Sequence, residues 1–122
     1  MTNEQWRELG CRAVACKGWR WMPGMLALDS TDEEHPGRVI DDRKSLVYED
    51  GDGAIREGVA SQSDIPDLSD PATLGCLLAL VREAKDDPGW QALNLGEDAW
   101  AIEGADYPTE AHALVAALEA AP

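Results

Sequence analysis

The stretch DPATLGCLLALVREA, Asp70 to Ala84, decides the architecture. Asp70 is an N-cap residue and Pro71 occupies the first helical position, where its missing N–H costs nothing. Leu74, Leu77, Leu78 and Val81 then follow the i, i+3, i+4, i+7 spacing of a helix with one apolar face. Asp86, Asp87, Pro88 and Gly89 end it. A helix this apolar needs a covering layer, and the flanking sequence supplies candidates on both sides.

Upstream, a first helix is expected from Asn3 to Lys17. Thr2 and Gln5 form a capping-box start. Trp6, Leu9, Ala13 and Cys16 make a narrow apolar stripe, and Gly18 is a natural stop. Pro23 and Gly24 redirect the chain. Short strands are expected at Met25–Leu28, Arg38–Asp41, Ser45–Glu49 and Ala54–Glu57, with a polar loop from Asp29 to Pro36. The turn DGDG, Asp50 to Gly53, joins the last two strands as a hairpin, because Asp-Gly tolerates positive φ. Ser61 to Ser69 reads as a connector.

Downstream, Trp90–Leu95 and Ala99–Glu103 read as a second hairpin across Gly96 and Glu97. Trp90, Ala92 and Asn94 share one face of the first strand, and Trp100 and Ile102 share a face of the second. A last helix starts at the cap Thr109 and runs to Ala120, with Ala111, Leu114, Val115 and Leu118 as its stripe. Hairpins covered by three helices define an α+β domain, layered as an α–β–α sandwich on a small, mainly antiparallel sheet. At 122 residues the chain fits a single domain, 1–122.

The run GWRWMPGM, Gly18 to Met25, holds two of the five Trp and two of the three Met, in a chain without Phe. In an extended segment Trp19 and Trp21 point the same way and Arg20 the other. One reading is core. The other is an aromatic platform on which a ring stacks while Arg20 or Lys17 meets a phosphate, giving Lys17, Trp19, Arg20, Trp21 and Met25 as candidate ligand-binding residues. Trp90 and Trp100 belong to the same wall or to further core.

Charge is large and uneven. The net charge is −14. Up to Arg56 there are 8 basic and 11 acidic residues, net −3; from Glu57 onward there are 2 basic and 13 acidic, net −11. Such a surface disfavours nucleic acid and anionic membrane and favours basic protein partners. The candidate partner-binding residues are Glu83, Asp86 and Asp87. Arg12, Lys17, Arg20, Arg38, Arg43 and Lys44 in the first half leave room for a local cationic pocket.

Chemistry beyond binding has few carriers. His35 and His112 are the only near-neutral proton carriers, and neither sits in a nucleophile or metal motif. Cys11, Cys16 and Cys76 lack ligand spacing and read as buried reduced thiols; the first two diverge by about 140° on a helix. Asp50, Asp52 and Glu57 miss the spacing of a calcium loop, and Asp32, Glu33 and Glu34 read as a solvated run. The expectation is no catalytic residue, no metal and no cofactor. No run is apolar enough for a membrane span and the N-terminus lacks a signal-peptide core, so a cytoplasmic protein is expected.

The segment Ala13-Val14-Ala15-Cys16-Lys17-Gly18-Trp19-Arg20-Trp21 resembles the helix ending in a Gly-Trp-basic-Trp motif of the phage ABA sandwich domain family. DPATLGCLLALVREA, the hairpin bearing Trp90 and Trp100, and the closing TEAHALVAALEAAP extend the resemblance over about two thirds of the chain; residues 29–69 are not placed by it. It implies an α–β–α sandwich of phage or prophage origin, in the host cytoplasm, with no activity assigned to its residues. In that context the leading expectation is a non-enzymatic counter-defence inhibitor that sequesters a host defence protein through its acidic surface. The alternatives are a sponge for a nucleotide second messenger, using Lys17, Trp19, Arg20 and Trp21 at a homo-oligomer interface, and a virion or prophage structural accessory protein.

Overall fold

The computed structural model describes residues 2–29, 36–41, 45–49, 53–59, 64–96, 99–102 and 105–121. Expectations resting on Asp32, Glu33, Glu34, His35, Arg43, Lys44, Asp50, Asp52 and Glu97 lie outside them.

Helix α1 spans Asn3–Val14, and the Thr2–Gln5 capping box forms in both directions. It ends three residues before Lys17, the expected end. Cys16 N–H donates to Ala13 O and Trp19 N–H to Cys16 O, so the last turn tightens into i→i+3 bonds. Gly18 acts through its size here: a Cβ would sit 2.9 Å from Leu118 Cδ1 and 3.4 Å from Ala84 Cβ. Pro23 and Gly24 form the central pair of a turn closed by Met25 N–H on Met22 O, with Gly24 at φ +100.

Five strands follow: β1 Leu26–Asp29, β2 Gly37–Val39, β3 Ser45–Glu49, β4 Ile55–Val59 and β5 Asp64–Pro66. They form an antiparallel sheet in the order β4-β3-β2-β1-β5. β5 lies inside the expected connector; its residues Asp64, Ile65 and Pro66 pair with Asp29, Leu28 and Ala27. Helix α1 packs closely on this edge, since a Cβ on Gly10 would come within 2.9 Å of Pro66 O.

Helix α2 spans Pro71–Ala84, as expected. After it come β6 Leu93–Gly96, β7 Ala99–Ile102 and β8 Ala105–Tyr107, a second antiparallel sheet in the order β6-β7-β8. Helix α3, Glu110–Ala120, starts from the Thr109 cap. The fold is α+β with three helices, and the strands divide between two antiparallel sheets where one small sheet was expected.

Two cores hold these parts together. Leu9 and Ala13 of α1, Leu77 and Val81 of α2, and Ala111, Leu114, Val115, Ala117 and Leu118 of α3 make the first, with Trp6, Trp90 and Ile102 against it. Trp21, Met25, Ala27, Val39, Leu46 and Leu80 make the second. Helix α2 therefore serves both, with Leu77 and Val81 toward the helices and Leu80 toward the larger sheet. Burial of this kind contributes about 25 cal/mol per Å² of apolar surface.

A polar link fixes α2 to the larger sheet. The Arg38 guanidinium on β2 reaches Asp70 at 2.6 Å and donates to Gly24 O at 2.8 Å. Asp70 also accepts from Thr73 N–H and Thr73 Oγ1, and the fully buried Thr73 hydroxyl accepts from Leu26 N–H at 2.8 Å. Burial pushes the Asp70 carboxyl up, but the hydrogen bonds from Arg38 and Thr73 outweigh it and hold the group below the ordinary carboxylate range.

Candidate binding surface

The Gly18–Met25 segment folds mostly inward. No strand forms around Trp19 and Trp21, and Arg20 between them is exposed. The two tryptophan rings meet edge to face, 5.4 Å apart and 83° from parallel. Trp21 retains 7% of its surface and Met25 none. These two candidate ligand-binding residues are core: they fill the space between the larger sheet and Leu80, and no ligand reaches Met25 without opening it. Trp19 is half-buried at the seam of the two cores, and its indole N–H is buried without an acceptor. A flat platform is not what these residues form.

The cations of the first half are used across the fold. Arg20 pairs with Glu83 at 2.6 Å, Arg38 with Asp70, and Arg12 makes a two-pronged contact with Glu119. Each acid comes from the second, more acidic half. The expected cationic pocket is thus spent in part on three ion pairs that join the two halves, and one of them unites a candidate ligand residue with a candidate partner residue. Lys17 is exposed at the rim of an open groove of about 360 Å³, beside Arg12, Cys16, Leu118 and Glu119.

A neighbouring groove of about 460 Å³ is lined by Gln5, Glu8, Leu9, Arg12, Pro108 and His112. His112 Nδ1 lies 2.8 Å from Thr109 Oγ1, and burial, helped by Arg12, pushes its imidazole down, keeping it neutral at pH 7. Partial burial raises the Cys16 and Cys76 thiols. None of the three is fully buried, contrary to expectation: Cys16 and Cys76 are half-buried and Cys11 is exposed on α1. Among the described residues, no three His, Cys, Asp or Glu side chains group as metal ligands, and no helix is long and apolar enough to cross a membrane.

The end of α2 is the unusual place. Lys85 is the C-cap, Asp86 N–H donates to Glu83 O and Asp87 N–H donates to Arg82 O at 2.9 Å. This is the Schellman arrangement, whose C′ position takes a left-handed conformation and usually a glycine. Here Asp86 occupies it at φ 51, and it is the one positive-φ residue other than glycine among those described. Asp87 Oδ1 accepts from Gly89 N–H, Arg82 Nε donates to Trp90 O, and Lys85 Nζ sits 5.8 Å from the Trp90 ring centre. The corner is therefore held firmly while Asp86 and Asp87 stay exposed. Glu83, Asp86 and Asp87 are brought together within one turn, at the negative end of the helix dipole, where acids are disfavoured. The spacing of the three acids is visible in the sequence; the left-handed backbone at Asp86 is not, because a glycine is the usual signal for it.

No family model, curated protein or solved structure matches the chain.

Proposed function

We propose that this chain is a non-enzymatic binding protein that covers a basic surface of a partner with its acidic second half, through Glu83, Asp86 and Asp87. The phage context implied by the Gly-Trp-Arg-Trp resemblance makes that partner a host defence protein, whose nucleic-acid-contacting surface is basic, and makes the chain its inhibitor. The observation that carries the reading is Asp86. A non-glycine residue in the left-handed region costs about 1 kcal/mol. An acid at a helix C-terminus costs a further few tenths or more. Asp tolerates the left-handed region better than most side chains, but glycine there and a base in its place would both be more stable, and presentation of a carboxylate on a rigid corner supports the binding reading.

The nucleotide-sponge alternative would require Trp21 and Met25 to leave the core and Arg20 to leave Glu83, and no observation favours it. The test is native mass spectrometry of the protein purified from host cells with active phage defence. A co-purifying protein that is lost at high salt, and lost with Asp86→Lys and Asp87→Lys, is the expected result, because surface charge is screened within about 10 Å at 0.1 M salt. A small-molecule adduct in place of a protein, or a partner retained by the charge-reversed variant, would contradict the reading.

A further inference from the structure

The start of helix α3 depends on a hydroxyl that both accepts and donates. Thr109 Oγ1 accepts the His112 N–H at 3.1 Å and lies 2.8 Å from His112 Nδ1. Thr109 O accepts the Ala113 N–H, so the first turn hangs on this one residue. A threonine hydroxyl has a single proton to give. With that proton on Nδ1 the imidazole is neutral, its own proton sits on Nε2, and the hydroxyl is matched in both roles. The same half-buried imidazole lines the groove between α3 and α1, where Leu9 and Ala13 of α1 share a core with Leu114 and Leu118 of α3.

A protonated imidazole breaks this arrangement. Both ring nitrogens then donate, so Nδ1 and the backbone N–H of His112 direct protons at one oxygen, and the hydroxyl proton loses its acceptor. The new charge also stands at the positive end of the α3 dipole, where cations are disfavoured. Glu8 and Arg12 of α1 line the groove beside it. Arg12 opposes a second cation even while bonded to Glu119, whereas Glu8 and, in the first turn of α3, Glu110 favour one. On the other elements packed against α3, Asp106 of β8 is exposed and β7 carries no charge, while on α2 Arg82 is bonded to Trp90 O and Glu83 to Arg20. Burial, then Arg12 and the amino terminus, prevail and hold the imidazole below the ordinary histidine range.

We propose that the Thr109–His112 pair is an acid-sensitive latch: protonation of His112 releases the cap, and the first turn of α3 loosens where it meets α1. The sign follows from the neutral imidazole that the fold prefers. The latch contributes fully above the ordinary histidine value, and its contribution is lost as pH falls through the lower value of the folded state. It acts on the α1–α3 groove and not on the acidic corner of α2, so it stands or falls separately from the proposed binding.

The test combines nitrogen spectra of the isotopically labelled histidine ring with amide hydrogen exchange. At neutral pH the expected result is an unprotonated Nδ1 and a proton on Nε2. Between about pH 7.5 and about pH 5.5, the His112 and Ala113 amides should lose roughly tenfold of their protection after correction for the intrinsic rate, while Val115 and Leu118 keep theirs. Thr109→Ser retains the hydroxyl and should behave as the parent. His112→Gln should remove the pH dependence. Thr109→Asp caps the helix without a hydroxyl proton and attracts the imidazolium, so its first turn should stay protected in acid. A proton on Nδ1 at neutral pH, parent protection that holds at the lower pH, or an acid loss that persists in His112→Gln or Thr109→Asp would overturn the latch.

Discussion

At the residue scale, Asp70 shows how one side chain joins several parts. It caps α2, anchors Arg38 from β2 and accepts from the Thr73 hydroxyl that in turn holds Leu26 N–H. Because its folded-state pKa is depressed, its contribution is fully present above the unfolded carboxylate pKa and is lost as pH falls through the folded value. Arg38→Met should cost about 1–2 kcal/mol at neutral pH and less in acid, since Asp70 loses the partner that holds its pKa down while its burial remains. Urea melts across the acid range measure both; a cost that does not shrink as pH falls would show that the Arg38–Asp70 pair is not what links α2 to the sheet. The two tryptophans should separate equally clearly. Trp21→Ala should cost about 3–5 kcal/mol, as for other buried aromatics. Trp19→Phe should be close to neutral, because it removes a buried N–H that has no acceptor. Matched denaturation curves for the two variants would show whether Trp19 has a hidden requirement for its indole nitrogen.

At the element scale, legibility followed the strength of local signals. The α2 boundaries stand in the sequence because Asp70, Pro71 and the leucine spacing all act within the helix itself. The α3 start at Thr109 and the strand Ser45–Glu49 are legible for the same reason. Strand β5 was not, since Asp64–Pro66 is three residues long, contains a proline and exists through its pairing with β1 beneath α1. Strand β8 is as short, and Ala105–Tyr107 forms against Ile102–Trp100 without any alternation of its own. Long-range partners created both. Glycine substitutions test the α1 contacts that local reading misses. Gly10→Ala should destabilise more than Gly18→Ala, because its Cβ meets the Pro66 backbone oxygen while that of Gly18 meets the movable end of Leu118. Thermal melts of the pair measure the difference, and the reverse order would mean that α1 does not sit rigidly on β5.

At the scale of the whole molecule, the charge imbalance is partly used inside the fold. Three acids of the second half, Glu83, Glu119 and Asp70, hold arginines of the first. Such pairs, where exposed, contribute only about 0–1 kcal/mol each. The acids still outnumber the bases once these pairs are made, and a net charge of −14 would steer association with the proposed basic partner. The sequence made this surface plain, along with the cluster Glu83, Asp86 and Asp87. It did not separate Trp21 and Met25 from a ligand site, because an aromatic run serves a core and a platform equally well until the packing is known. Nor did it show that Arg20 would be held by Glu83, a contact across sixty-three positions of chain.

The proposed binding depends on Asp86, and stability and partner retention should be measured together for Asp86→Gly and Asp86→Asn. Glycine should raise stability by about 1 kcal/mol by relieving the left-handed backbone, and both variants should lose the co-purifying basic partner. A glycine variant no more stable than the parent, or an asparagine variant that keeps its partner, would contradict a carboxylate held there for binding.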